Sequence, residues 1–208
     1  HGFVGRHRQL AELAAHLDDA CAGGGRVVFV SGEAGTGKTA LLAEFSARAL
    51  AQHGALVVAV GSATVPAAAG APLLPFGAAL AMLAGDVTAQ CAAWQPPDTL
   101  VERLRMRFPH VLHTLLTVGP HLIGTLVAAD RLQDSARAAY LEETGDYARL
   151  QALAAATVGT GLTAGPDLDR LLFAEAAAVL EELALVQPLL LLLDDFHWAD
   201  AASLNLLF

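Results

Sequence analysis

The stretch from Arg26 to Thr39 limits the possible folds more than any other part of the chain. Val27 to Val30 form a short β-branched and aromatic run, which predicts a fully buried strand. The segment from Gly32 to Thr39 then satisfies G-x-x-x-x-G-K-[ST] at every fixed position. Ala40 to Leu50 are good helix formers, with Leu41, Leu42 and Phe45 on one face. Strand, glycine loop and helix therefore follow in the order that a parallel α/β unit requires.

The residue types in the loop suit one kind of ligand. A polyphosphate carries dense negative charge, so the backbone must come close and turn its N–H groups inward. Gly32, Gly35 and Gly37 allow this because they lack a Cβ. Glu33, Ala34 and Thr36 fill the variable positions and contribute backbone to the same cradle. A helix starting near Lys38 adds free N–H donors and the positive end of its dipole. Lys38 is expected to reach the β- and γ-phosphates as a point charge, and Thr39 to offer its hydroxyl to Mg²⁺.

A glycine-rich turn joining a strand to a helix would explain the loop without a ligand. Composition favours the ligand. Lys38 is the only lysine among twelve basic residues, and it stands where a phosphate loop needs one. The net charge is −9, and sixteen of the twenty-one acids lie at or after Asp86, so this segment is not expected to grip nucleic acid. Hydrophobic content is 55%, much of it alanine, and the longest uncharged stretch, Gly54 to Gly85, is broken by Pro66, Pro72 and Pro75. It reads as a buried strand followed by a loop and a short helix, not as a membrane span. Cys21 and Cys91 provide neither a disulfide framework nor a zinc site, and with no secretory signal in the sequence a cytoplasmic location is expected.

The fold class expected is α/β, a three-layer αβα arrangement around a parallel sheet, within one domain over 1–208. Residues 1–25 hold an N-terminal motif and an amphipathic helix with Leu10, Leu13 and Leu17 on one side, closed by Gly23 to Gly25. Residues 26–61 form the phosphate-loop unit, ending in a second buried strand from Ala55 to Val60. Residues 62–166 read as a helical insertion between strands. Its expected pieces are Phe76–Ala84, Leu100–Phe108, Val111–Leu116, Leu122–Leu141 and Asp146–Val158, after a loop from Pro66 to Pro75. Arg103, Arg105 and Arg107 read as a solvated face. His110, His113 and His121 have no acid or cysteine at ligand spacing, so no metal site is assigned to them.

Residues 167–208 open with Asp167 as the expected N-cap of a long helix. Its apolar face takes Leu168, Leu171, Leu172, Val179, Leu180 and Leu183, leaving Glu175, Glu181 and Glu182 outside. Pro188 ends it, and the apolar strand Leu189–Leu193 runs into Asp194 and Asp195. In open parallel sheets, ligands sit beyond the carboxyl ends of the strands, which brings Asp194 to the edge that holds the phosphate loop. There Asp194 is expected to hold the Mg²⁺ shell as a Walker B acid does, and Asp195 to orient or deprotonate an attacking water. Lys38 and Asp195 are thus the candidate catalytic residues.

Three blocks carry a family resemblance: Phe3 to Arg6, Gly32 to Thr39, and Leu189 to Asp200 with Ser203 and Leu204 after it. The string Asp-Asp-Phe-His-Trp-Ala-Asp at 194–200 is the most specific of them. Together they resemble the nucleotide-binding domain of STAND-class signalling ATPases, an AAA-like branch of P-loop NTPases found in large LuxR-type regulators and adenylate-cyclase-linked sensors. The resemblance implies that Gly5 and Arg6 lie against a bound ATP or ADP. Acids usually follow that arginine, whereas His7 and Gln9 stand here, so no role is carried over to those two.

The resemblance also implies a sensor strand between the two Walker strands, then a further strand, a lid and a winged helix. None of these follows Asp195 in the sequence, so an incomplete sheet and the front part of a larger domain are expected. The implied function is an ATP/ADP switch acting on downstream domains of the same protein, with self-association as a further partnership. A motor-type AAA fragment and a non-catalytic remnant are the competing readings.

Overall fold

The computed structural model describes residues 5–62, 73–87, 95–157, 165–199 and 203–204. Phe3, Val4, residues 66–72 of the expected loop Pro66–Pro75, Cys91, Val158 and Asp200 lie outside the described residues, and the end of that loop is corrected, since Pro75 already lies in a helix over Leu74–Leu83.

Helix α1 spans His7–Cys21 and buries Leu10, Leu13 and Leu17, the stripe expected from their spacing. Its partner is α2, Lys38–Gln52, which begins at the end of the glycine loop and buries Leu41 and Phe45. Strand β1 follows at Val57–Ser62, with Val57 to Gly61 buried. It pairs in parallel with β2, Leu189–Asp194, in a register running from Val57 against Leu189 to Ser62 against Asp194. Between the strands lie α3 (Leu74–Leu83), α4 (Asp98–Val118), α5 (Ala129–Ala138), α6 (Gly145–Thr157) and α7 (Pro166–Val186). Mixed helices around a small parallel sheet fit an α/β P-loop-like fold. No helix among the described residues is long and apolar enough to cross a membrane.

Both faces of the sheet meet helices. Side chains alternate along a strand, so Gly61 and Ser62 face opposite ways. A Cβ on Gly61 would fall 1.8 Å from the carbonyl oxygen of Pro75 in α3, so this close approach requires glycine. Ser62 and its register partner Asp194 lie on the other face, where Thr39 at the start of α2 meets Asp194.

Several expectations need correction. Val27 to Val30 are not a strand; the only sheet among the described residues joins β1 to β2. Val27, Val28 and Phe29 are 52%, 42% and 61% exposed, because an apolar run is covered only where a ladder neighbour and packed helices flank it. Leu189 to Leu191 are likewise only half-buried, whereas β1 is enclosed.

Leu100–Phe108 and Val111–Leu116 are one helix, α4, which continues through Pro109. A mid-helix proline costs about 3 kcal/mol. Leu100, Leu104, Phe108, Val111, Leu112 and Leu115 all bury along the same helix, each worth roughly 1.5–3 kcal/mol, so packing outweighs the break. The expected helix Leu122–Leu141 is instead a 3₁₀ turn at Pro120–Leu122, a turn at Gly124 and the shorter α5.

Asp167 is not the cap of α7. Gly165 precedes the helix and Pro166 opens it, a residue whose missing N–H costs nothing there. Asp167 and Asp169 lie in the first turn, where the helix dipole favours acids. Glu175 faces inward, not out, and is 9% exposed, while Leu171 is 37% exposed. Arg103 is not part of a solvated face either. Its guanidinium donates to the carbonyls of Leu50, His53 and Leu56, each at 3.0 Å, and so closes the C-terminal end of α2.

Candidate functional site

The loop at 32–37 is built from turns. Gly35 and Gly37 take φ values of +77° and +79°, a region that a side chain with a Cβ resists. Thr36 closes the loop on itself, its hydroxyl donating to the Glu33 carbonyl at 2.8 Å. Glu33, Ala34 and Thr36 are all exposed, as are the loop glycines. The loop is therefore an open rim at the start of α2, whose first N–H groups have no partner within the helix.

Lys38 is half-buried, and its Nζ donates to the carbonyls of Gly32 and Glu33, both at 2.9 Å. The ammonium is thus held over the loop by neutral oxygens, with no carboxylate recorded against it among the described residues. Such an arrangement leaves its full charge available to an anion.

Thr39 Oγ1 donates to Asp194 Oδ2 at 2.7 Å, the contact that joins the start of α2 to the end of β2. The other carboxylate oxygen, Oδ1, accepts the backbone N–H of Asp195 at 2.9 Å. Asp195 takes a left-handed φ of +52° and opens a 3₁₀ turn over Phe196–Trp198. Its side chain is exposed, while that of Asp194 is half-buried between the strand end and α2. A left-handed conformation in a residue with a Cβ costs about 1–3 kcal/mol, and aspartate is among the residues that bear it best.

Arg6 comes to the loop from the N-terminal side. It also has positive φ, +57°, just after Gly5 at +90°. Its Nη2 donates to the Thr36 carbonyl, so Arg6 reaches the glycine-loop backbone before α1 begins. The structure therefore gathers Arg6, Lys38, Thr39 and Asp194 around one loop, with Asp195 one residue beyond.

The residues present fit a magnesium-bound polyphosphate. Open backbone turns and a fixed ammonium suit phosphate oxygens. A hydroxyl facing a carboxylate at 2.7 Å is a donor set of the hard-oxygen kind that Mg²⁺ takes.

The histidines are held elsewhere. His113 Nδ1 lies 2.9 Å from Asp146 Oδ2. His121 Nδ1 lies 2.6 Å from Glu175 Oε1, and the His121 N–H donates to Oε2 of the same carboxylate at 2.9 Å. These acids come from α6 and α7, far from the histidines in sequence, so spacing alone gave no sign of the pairs. No group of three or more metal-ligating side chains forms among the described residues.

One polar group at the sheet edge escaped the sequence reasoning. Ser62 ends β1 opposite Asp194. The rule that singled out Asp194, a polar residue closing an apolar parallel strand, applies equally to Ser62.

A family model described as an AAA ATPase domain matches residues 2–208. No functionally curated protein and no solved structure matches the chain.

Proposed function

Because this chain belongs to the AAA ATPase domain family, we propose that it is the ATP- and Mg²⁺-binding switch module of a signalling or transcriptional regulator. The observation that carries the nucleotide reading is the 2.7 Å hydrogen bond from Thr39 to Asp194. It couples the phosphate loop to the end of a neighbouring parallel strand. The bound ion would screen the charge of the phosphate oxygens.

The chain's own residues divide the work. Backbone N–H groups from Gly32 to Thr39 line the phosphates, and Lys38 turns from the two loop carbonyls to the β- and γ-oxygens. Thr39 and Asp194 would hold the metal, Asp194 through water. Asp195, exposed beside Asp194, takes or orients the proton of an attacking water. Gly5 and Arg6 close the nucleotide site from the N-terminal side, consistent with the Arg6 contact to Thr36.

The regulatory part of the reading rests on the Asp-Asp-Phe-His-Trp-Ala-Asp string and the helical segment between β1 and β2. Nucleotide state then acts on other domains of the same protein or on self-association, in the cytoplasm and without direct nucleic-acid contact by this segment. Titration with a fluorescent ATP analogue in Mg²⁺ tests the binding reading. Saturable binding that is competed by ATP and ADP is expected; no binding at millimolar nucleotide sinks it.

A further inference from the structure

Ser62 Oγ is buried and has no hydrogen-bond partner among the described residues. A buried hydroxyl left unpaired costs about as much as a lost hydrogen bond, so native proteins rarely keep one without reason. Its position supplies the reason. Ser62 is in register with Asp194 on adjacent parallel strands, so their side chains leave the same face of the sheet side by side. The opposite face is closed by α3, whose Pro75 backbone lies directly over Gly61.

Asp194 accepts from Thr39 at Oδ2 and from the backbone of Asp195 at Oδ1, and among the described residues it makes no hydrogen bond to Ser62. The serine hydroxyl is therefore a spare donor and acceptor beside the one carboxylate of the proposed metal site. We infer that Ser62 is a positioning residue for the magnesium–nucleotide complex, hydrogen-bonding a water of the metal's hydration shell next to Asp194. Mg²⁺ suits such a partner because it keeps several of its waters when bound to protein. Binding would give the hydroxyl a partner there, which adds to affinity for the metal complex over the free nucleotide. The inference rests on the nucleotide reading and goes beyond it in naming a group on β1.

The test uses the chain with Ser62→Ala and Ser62→Thr. A fluorescent ATP analogue is titrated in Mg²⁺ and again in EDTA, and thermal unfolding is followed without nucleotide. Removing an orphan hydroxyl should leave the Tm of the empty protein unchanged or raised. Affinity in Mg²⁺ should fall about three- to tenfold in S62A, with affinity in EDTA unchanged, and S62T should restore it. Parental affinity of S62A in Mg²⁺, or an equal loss in EDTA, would overturn the role. A Tm several degrees lower in the empty S62A protein would also overturn it, since the hydroxyl would then be structural. If the parent binds the analogue and S62A behaves the same, only Ser62 is reassigned; if the parent does not bind, the nucleotide reading falls as well.

Discussion

Thr39 Oγ1 and Asp194 Oδ2 lie 2.7 Å apart although 155 residues separate them in the chain. A neutral hydroxyl donating to a carboxylate holds both side chains in the geometry that a shared cation would use. The contact exists because α2 starts directly after the loop and because β2 ends level with it. A cation on the Thr39 oxygen, with Asp194 acting through water, is compatible with this hydrogen bond.

Asp194→Asn should therefore weaken nucleotide binding in Mg²⁺ far more than in EDTA. The amide keeps the shape and can still accept from Thr39, but it loses the charge that would anchor the metal. Isothermal titration in the two buffers measures the difference. Equal losses in both would remove Asp194 from the metal site.

Lys38→Ala should weaken binding of the ATP analogue by about tenfold or more, the equivalent of roughly 1.5–3 kcal/mol for a charge-assisted hydrogen bond. Among the described residues the ammonium bonds only to carbonyls of its own loop, so the fold should tolerate its loss. Unchanged affinity with unchanged Tm would contradict the phosphate-loop assignment.

Asp195→Asn separates binding from turnover. It leaves the Thr39–Asp194 contact and the Asp195 backbone N–H intact, so nucleotide affinity should stay at the parental value. In a longer protein that carries the complete domain, where hydrolysis is expected, phosphate release should drop by about 10²-fold or more. Release at the parental rate would mean that another group does so.

Arg103→Ala should destabilise the chain without touching the site. Three carbonyls at the end of α2 and in the turn before β1 share this one guanidinium. Leaving them unsatisfied costs roughly 2–3 kcal/mol. Arg103→Lys should recover only part of this, because a single ammonium cannot match the planar fork. Denaturant unfolding reads both variants, and a neutral R103A would show that water replaces the guanidinium.

Glu175→Leu should also destabilise the chain, by about 1–3 kcal/mol. Its carboxylate is buried and accepts both the backbone N–H and the Nδ1 side of His121, so a leucine strands a backbone donor. Unfolding of E175L at the parental midpoint would show the pair to be energetically idle.

Local chemistry was legible in the sequence by itself. The loop at 32–39 followed by a helix, the buried stripe Leu10, Leu13 and Leu17, and an apolar strand ending at Asp194 all depend on near neighbours and on side-chain periodicity. Those signals survive folding because backbone geometry sets them within a few residues. Tertiary structure decided the rest. Val27 to Val30 have the composition of a buried strand, yet burial needs a ladder neighbour and cover that residue types cannot promise. The expected pieces Leu100–Phe108 and Val111–Leu116 are one helix because packing on both sides of Pro109 outweighs the lost hydrogen bond. Arg103 and Glu175 were charges, assigned to solvent by default, that found backbone partners remote in sequence. Ser62 was one polar residue among many until the parallel register set it beside Asp194. Which residues meet across the sheet is a property of register and crossover, and neither is written in any single segment of the chain.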